Sequence, residues 1–209
     1  PFAWKVLASA LKQMGKINES LVASQTSVQL DPQDAEAPYN LGNTLKELGK
    51  LDEAETSYRK AITIKPDFAG AHNNLGNTLQ GLGRLEEAEI SVRQAITLKP
   101  DFAEAHNNLG ILLKELGRLK EAEISLRKAI ALKPDFAGAH NNLGNTLKEL
   151  GRLEEAETSY RKAIELKPDY DIAHNNLGIA LKELGRLEEA EISLRQAITL
   201  KPDYAEAHN

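Results

Sequence analysis

Residues Ala137–Tyr170 read AGAHNNLGNTLKELGRLEEAETSYRKAIELKPDY, and this 34-residue pattern recurs along the whole chain. Residues Ala69–Phe102 read AGAHNNLGNTLQGLGRLEEAEISVRQAITLKPDF and differ from it at seven positions. A fixed period of this size is typical of stacked repeat arrays, in which neighbouring repeats bury each other's apolar faces. We therefore expect function to lie in an extended surface rather than in a single pocket.

The copies of this pattern divide the chain without gaps, and we number the positions of each repeat from 1 to 34. They occupy residues 1–34, 35–68, 69–102, 103–136, 137–170 and 171–204, with a truncated seventh copy at 205–209. We expect residues 1–209 to form a single array, because one repeat is too short to bury its own apolar face and about three are needed. Since the chain begins at Pro1 and ends inside a repeat, we also expect it to be a fragment of a longer array.

Composition excludes several functional classes. The net charge of −5 argues against nucleic-acid binding, which normally shows as a basic stripe. No apolar run approaches the ~18 residues of a membrane span, so we expect no membrane partner. The chain has no cysteine, which excludes disulfides and cysteine-ligated zinc but leaves the compartment open, with the cytoplasm favoured.

Each repeat carries the pattern of two helices. Positions 7, 11 and 14 are apolar at helical spacing, as in Leu143, Leu147 and Leu150. Glycine at position 15 then predicts a left-handed helix end. A second apolar stripe at positions 17, 20, 24, 27 and 28 predicts another helix, which proline at position 32 ends. Aspartate at position 33 of repeats 2 to 6 is predicted to cap the next helix.

These features resemble the tetratricopeptide repeat over all 209 residues. The period of 34 matches, as do Leu at position 7, Gly at 8, Ala at 20 and 27, and Pro at 32. Repeat 1 keeps the aromatic residue of the family pattern at position 4, Trp4, but has Ala8 at position 8. We predict an all-α α-solenoid of antiparallel helix hairpins. The resemblance further implies a right-handed superhelix, with the first helix of each repeat, helix A, lining the concave face.

Asparagine is concentrated on one side of helix A. A helical wheel places positions 2, 5, 6, 9 and 13 opposite the apolar positions, and therefore away from the core. Each amide offers both a donor and an acceptor, which suits the main chain of an extended peptide. Simple duplication of one ancestral asparagine is the alternative explanation. The candidate peptide-binding residues are Asn40, Asn74, Asn108, Asn142 and Asn176 at position 6, Asn73, Asn107, Asn141 and Asn175 at position 5, and Asn43, Asn77 and Asn145 at position 9.

This asparagine pattern resembles the asparagine ladder in the repeat array of O-GlcNAc transferases and their bacterial relatives. The resemblance implies that the position-6 amides contact a bound peptide. The leading prediction is therefore a protein-interaction scaffold whose partner is an extended protein or peptide segment. The basic clamp that other members of this family use for acidic C-termini is disfavoured, because positions 2, 5 and 6 carry no lysine or arginine in repeats 2 to 6.

Two alternatives remain open at this point. One is end-to-end self-association of a structural module, because the last hairpin should leave Leu187, Leu194 and Ile198 partly uncovered. The other is a targeting arm of a larger enzyme whose catalytic domain lies outside these residues. RNA binding, known from related hairpin repeats, is disfavoured by the acidic balance.

No residue pattern predicts catalysis or a cofactor. The chain has no glycine-rich phosphate loop ending in GK[ST]. The histidines at position 4 are spaced one repeat apart, and even directly packed helices are ~8–10 Å apart, too far to share a zinc ion. We expect no metal site and assign them to packing: His72, His106, His140, His174 and His208.

Overall fold

A computed structural model describes residues 2–201 of the chain. Pro202, Asp203, His208 and the truncated repeat at residues 205–209 lie outside the described residues. The described residues form twelve α-helices and no strand, which confirms the predicted all-α fold of antiparallel hairpins. The helices are α1 (Phe2–Gln13), α2 (Ile17–Leu30), α3 (Glu36–Glu47), α4 (Leu51–Ile64), α5 (Ala69–Gly81), α6 (Leu85–Leu98), α7 (Ala103–Glu115), α8 (Leu119–Leu132), α9 (Ala137–Glu149), α10 (Leu153–Leu166), α11 (Asp171–Glu183) and α12 (Leu187–Leu200).

The chain divides into two compact units, an N-terminal unit of residues 1–108 and a C-terminal unit of residues 109–209. Within each repeat the odd-numbered helix is helix A and the even-numbered one is helix B. The boundary between the two units falls within α7.

The turn between helices A and B is a glycine cap, as predicted. Gly151 has φ +75°, a left-handed conformation that glycine adopts without steric cost. The N–H of Arg152 donates to the carbonyl of Leu147, and that of Gly151 to Lys148, each at 2.9 Å. These two bonds satisfy carbonyls that the helix end leaves without partners. The same turn recurs at position 15 of all six repeats, with φ between 73° and 77°.

The predicted aspartate cap at position 33 is wrong for α5, α9 and α11, none of which has a side-chain cap. The residue before α5 is Phe68 at position 34, and no side chain caps this helix. The N–H groups of Ala69 and Ala71 donate instead to the main-chain carbonyls of Asp67 and Phe68. The aromatic ring at position 34 lies under the preceding lysine, with Lys65 Nζ 5.5 Å from the ring centre. Backbone carbonyls therefore accept the hydrogen bonds from the N–H groups in the first turn of α5. The carboxylate of Asp67 does not cap the helix.

The core follows the predicted positions. In the N-terminal unit Ala54, Ala61, Ala88 and Ala95, at positions 20 and 27, are fully buried. In the C-terminal unit the core joins Leu126, Leu143, Leu147 and Tyr160 across three repeats, with Leu177, Leu181 and Ala190. Small residues at positions 20 and 27 let helices A and B approach closely. Position 24 then carries the large side chain that fills the space between them.

Candidate functional site

The asparagines of helix A bind one another across the repeat boundary in the N-terminal unit. Asn108 Nδ2 donates to Asn73 Oδ1 at 2.9 Å, which links position 6 of one repeat to position 5 of the repeat before it. Within a repeat, position 5 donates back to position 6, at 3.2 Å from Asn73 to Asn74 and 3.4 Å from Asn107 to Asn108. Consecutive helices A are therefore joined by a chain of side-chain amides.

The C-terminal unit repeats this contact. Asn176 Nδ2 donates to Asn141 Oδ1 at 3.0 Å, with the same spacing of 35 residues along the chain. The recurrence in a second unit indicates that the bond follows from the repeat itself. It is a property of neighbouring positions 6 and 5 rather than of one local environment.

Position 5 does not lie on the exposed face, contrary to the helical-wheel expectation. Asn73, Asn107 and Asn141 are only 5%, 7% and 3% exposed. A helical wheel considers one helix packed against one core. In the structure the next helix A also packs beside position 5 and covers it. The prediction that position 5 is exposed is therefore wrong. A buried amide must be hydrogen-bonded, and position 6 of the next repeat supplies that bond. Asn175, in the last described repeat, is half-buried.

Position 6 lies at the edge between buried and exposed surface. All five residues are half-buried: Asn40, Asn74, Asn108, Asn142 and Asn176. A side-chain amide has two N–H donors and an oxygen with two lone pairs. The two bonds of Asn108 use one N–H and one lone pair. Its amide therefore keeps one N–H and one lone pair for further hydrogen bonds.

Position 9 is bound to helix B where that helix carries tyrosine. Tyr58 donates its hydroxyl to Asn43 Oδ1 at 2.8 Å, and Tyr160 does the same to Asn145 at 2.8 Å. Burial raises the pKa of both phenols well above the ordinary range, so the hydroxyls remain protonated donors. Asn77, the third asparagine at position 9, is also half-buried and belongs to a repeat with Val92 at position 24.

In repeat 2 a tyrosine replaces the asparagine of position 5 and keeps the same role. Asn74 Nδ2 donates to Asn43 Oδ1 at 2.8 Å and to the Tyr39 hydroxyl at 3.2 Å. The Tyr39 ring also packs against Tyr58 and Phe68, with ring centres 6.0 and 4.7 Å away. The amide stripe, by which we mean the asparagines at positions 5, 6 and 9, is therefore continuous with an aromatic cluster in the N-terminal unit.

The repeat pattern by itself does not predict that these amides are partners of one another. One signal was present, because Asn at position 9 accompanies Tyr at position 24 in two repeats, as Asn43 with Tyr58 and Asn145 with Tyr160. The contact from position 6 to position 5 of the preceding repeat left no comparable signal. Both positions are asparagine in repeats 3 to 6, so the sequence offers little variation to compare.

The histidines at position 4 bind the loop before their own helix. His72, His140 and His174 each have Nε2 3.0 Å from the carbonyl oxygen of the proline six residues earlier, as does His106. This contact ties the start of helix A to the end of the preceding helix B. His208 lies outside the described residues. Within residues 2–201 no three histidine or carboxylate side chains are grouped so that they would hold a metal ion.

Comparison with known proteins identifies the repeat. Family models described as TPR repeat or tetratricopeptide repeat match residues 24–56, 42–83, 67–135, 125–158, 144–185 and 172–204. No curated protein sequence matches the chain significantly. None of the described helices combines the length and apolar character that a membrane span requires.

Several solved structures share the fold across most of the chain. MamA is 26% identical with a TM-score of 0.68, over 79% of this chain and 97% of MamA. TTC0263 of Thermus thermophilus, a thermophilic TPR protein, is 27% identical with a TM-score of 0.72, over 86% of this chain and 98% of its own. YrrB, described as a TPR protein with an unusual peptide-binding site, is 25% identical with a TM-score of 0.65, over 88% of this chain and 94% of YrrB.

Proposed function

The chain belongs to the tetratricopeptide-repeat family, and from this premise we propose that it is a non-catalytic scaffold that binds an extended peptide segment along the amide stripe. Support comes from the likeness to YrrB, a TPR protein with a peptide-binding site. We further propose that residues 1–209 act as a single array, with helix A lining the concave groove of a right-handed superhelix.

One observation carries the proposal. The position-6 amides, such as Asn108 and Asn176, are held in place by a bond to position 5 of the preceding repeat yet retain exposed hydrogen-bonding capacity. A side chain that is already ordered loses little conformational entropy when it binds a ligand. Such pre-organised amides pair well with the N–H and C=O groups of a peptide main chain.

The three asparagine positions take different roles in this proposal. Position 6 contacts the peptide, and the exposed side of position 9 extends the contact along the helix. The buried position 5 positions the amide of the next repeat and does not itself reach the ligand. Recognition of main-chain groups makes the binding tolerant of peptide sequence.

The test is a triple variant in which Asn108, Asn142 and Asn176 are each replaced by alanine. The probe is a pool of random-sequence peptides in extended form, captured on the immobilised chain and measured by mass spectrometry. We expect capture to fall at least about tenfold, as the loss of several hydrogen bonds of roughly 1 kcal/mol each predicts. The melting temperature should fall as well, because buried position-5 amides such as Asn73 lose their partner.

Arg152→Ala is the matched control, because it should also lower the stability of the fold without changing any asparagine. It removes ion pairs to Glu123 and Glu155 on helix B and leaves the amide stripe intact. Both variants are compared well below their melting temperatures. Capture that survives in the triple variant, or that is lost equally in Arg152→Ala, would contradict the proposal.

Methylation of the peptide main-chain nitrogens should weaken capture by the parent chain, because it removes the N–H groups that the amides bind.

A further inference from the structure

A row of ion pairs runs along the ends of the A helices. Lysine at position 12 of one repeat pairs with glutamate at position 13 of the next repeat. The Nζ–Oε distances are 2.8 Å for Lys12–Glu47, 3.1 Å for Lys114–Glu149 and 3.9 Å for Lys148–Glu183. In each case the lysine charge is compensated by the neighbouring repeat.

Lys46 is the place in the N-terminal unit where this row is broken. The glutamate that would pair with it is replaced by Gly81 in repeat 3. Among residues 2–201 no carboxylate forms an ion pair or hydrogen bond with Lys46. Lys46 is half-buried, and both its burial and the nearby charge of Lys12 lower the pKa of its ammonium group. A partly desolvated cation without a partner is costly, and a bound anion would remove that cost.

Lys46 borders a cavity of about 290 Å³ that adjoins the amide stripe through Asn43. The cavity is lined by Lys12, Asn43, Lys46, Glu47 and Tyr58. Asn43 is shared between the cavity and the stripe, because its Oδ1 accepts from Asn74 Nδ2 at 2.8 Å. A peptide bound on the stripe therefore passes the mouth of the cavity.

We propose that Lys46 binds the side-chain carboxylate of an aspartate or glutamate in the extended peptide, which gives the groove one acidic specificity position. This inference rests on the proposed function. Lys12 cannot contribute a second full charge, because Glu47 holds it at 2.8 Å and Glu47 also faces the cavity. One uncompensated lysine beside a carboxylate suits a singly charged carboxylate and disfavours a doubly charged phosphate.

The chain itself supplies the variant that tests the site. Gly81→Glu restores the residue that repeats 2, 4, 5 and 6 carry at position 13: Glu47, Glu115, Glu149 and Glu183. A Cβ atom at Gly81 would meet only the Leu51 Cδ1 atom, at 3.0 Å. That methyl group is the far end of a flexible side chain, and other repeats combine leucine and glutamate at these positions. Gly81→Glu should therefore fold and pair with Lys46.

The experiment selects from pools of random peptides in which one central residue is fixed as Asp, Glu, Asn, Gln or phosphoserine. We expect the parent chain to prefer Asp or Glu over the matching amide by about tenfold, as for one charge-assisted hydrogen bond. Lys46→Gln and Gly81→Glu should both lose that preference while retaining peptides. Lys148→Gln, which alters a lysine already paired with Glu183, should keep it.

The outcomes separate this inference from the peptide-binding proposal. Capture of peptides without an acidic preference overturns the Lys46 site and leaves peptide binding standing. An acidic preference that survives Gly81→Glu, or a stronger preference for phosphoserine, also overturns it. A parent chain that captures no peptide at all overturns both.

Discussion

Glycine at position 8 and the large side chain at position 24 share one space between helices A and B. A Cβ atom at Gly144 would lie 2.5 Å from Tyr160 Cε1, and one at Gly42 would lie 2.7 Å from Tyr58 Cε1. In repeat 1 the larger Ala8 replaces glycine at position 8, and the small Ser24 replaces the large side chain at position 24. The ring of a tyrosine is rigid and buried, so it cannot move away from an added methyl group.

We expect Gly144→Ala to lower the free energy of unfolding by about 1–3 kcal/mol, the usual cost of overpacking a core. Chemical denaturation followed by circular dichroism measures the change. Gly138→Ala in the same helix is the control, because position 2 holds Glu36, Glu104 or Ile172 in other repeats. The control should be neutral or slightly stabilising, since alanine favours a helix over glycine. Equal effects from both substitutions would refute the packing explanation.

Among the helices, arginine at position 16 joins consecutive B helices through ion pairs. Arg152 Nη1 lies 2.7 Å from Glu123 of the preceding helix B, and its Nη2 lies 2.6 Å from Glu155 of its own. Arg84 and Arg186 form the same pairs with the glutamates at the equivalent positions. Hydrogen bonding to arginine lowers the pKa of the position-19 carboxyl, in Glu155 as in Glu87 and Glu189.

A lowered carboxyl pKa in the folded state gives a defined pH dependence. These pairs stabilise the fold above the unfolded carboxyl pKa of about 4.3, and the contribution is lost as the pH falls through the lower folded values. We expect the melting temperature to drop on acidification from neutral pH through about pH 4. Replacing Arg84, Arg152 and Arg186 with methionine should make that drop smaller. Because the glutamates are exposed, high salt should also reduce it, and an unchanged pH profile would exclude these pairs as its cause.

At the scale of the whole molecule, the last described helix leaves an apolar face uncovered. Leu187 is 60% and Ile198 47% exposed, while Leu153 and Ile164, their equivalents in the preceding repeat, are half-buried. Leu194 is half-buried, whereas Tyr160 at the equivalent position is fully buried. The prediction that Leu187, Leu194 and Ile198 are partly uncovered is therefore confirmed. Repeat arrays normally protect such faces with a polar capping element.

We expect this face to bring two copies of the chain together at high concentration. Sedimentation velocity should show association that increases with concentration in the parent chain. Leu187→Gln combined with Ile198→Gln should remain monomeric, because the apolar area that drives association is removed. Leu119→Gln, at the equivalent position of an internal repeat, serves as the control and should not abolish association. A parent chain that stays monomeric throughout would reject end-to-end self-association.

The architecture of each hairpin is predictable from the sequence. Glycine at position 15, proline at position 32 and the small residues at positions 20 and 27 act through local geometry and close helix packing, so their period in the sequence is enough to predict them. The aspartate cap failed at the same scale, because carbonyls of the preceding turn reached the free N–H groups of α5 first.

The neighbours of the asparagines and of Lys46 are visible only in the folded structure. Whether Asn73 is a surface amide or a buried partner of Asn108 depends on which side chain of the next repeat lies beside it. Lys46 lacks the glutamate that pairs with lysine at this position in other repeats, because repeat 3 carries Gly81 there. Hydrogen bonds and ion pairs have a range of a few ångströms. Which of these bonds form therefore depends on which positions of neighbouring repeats lie side by side. The period of the sequence does not specify that alignment.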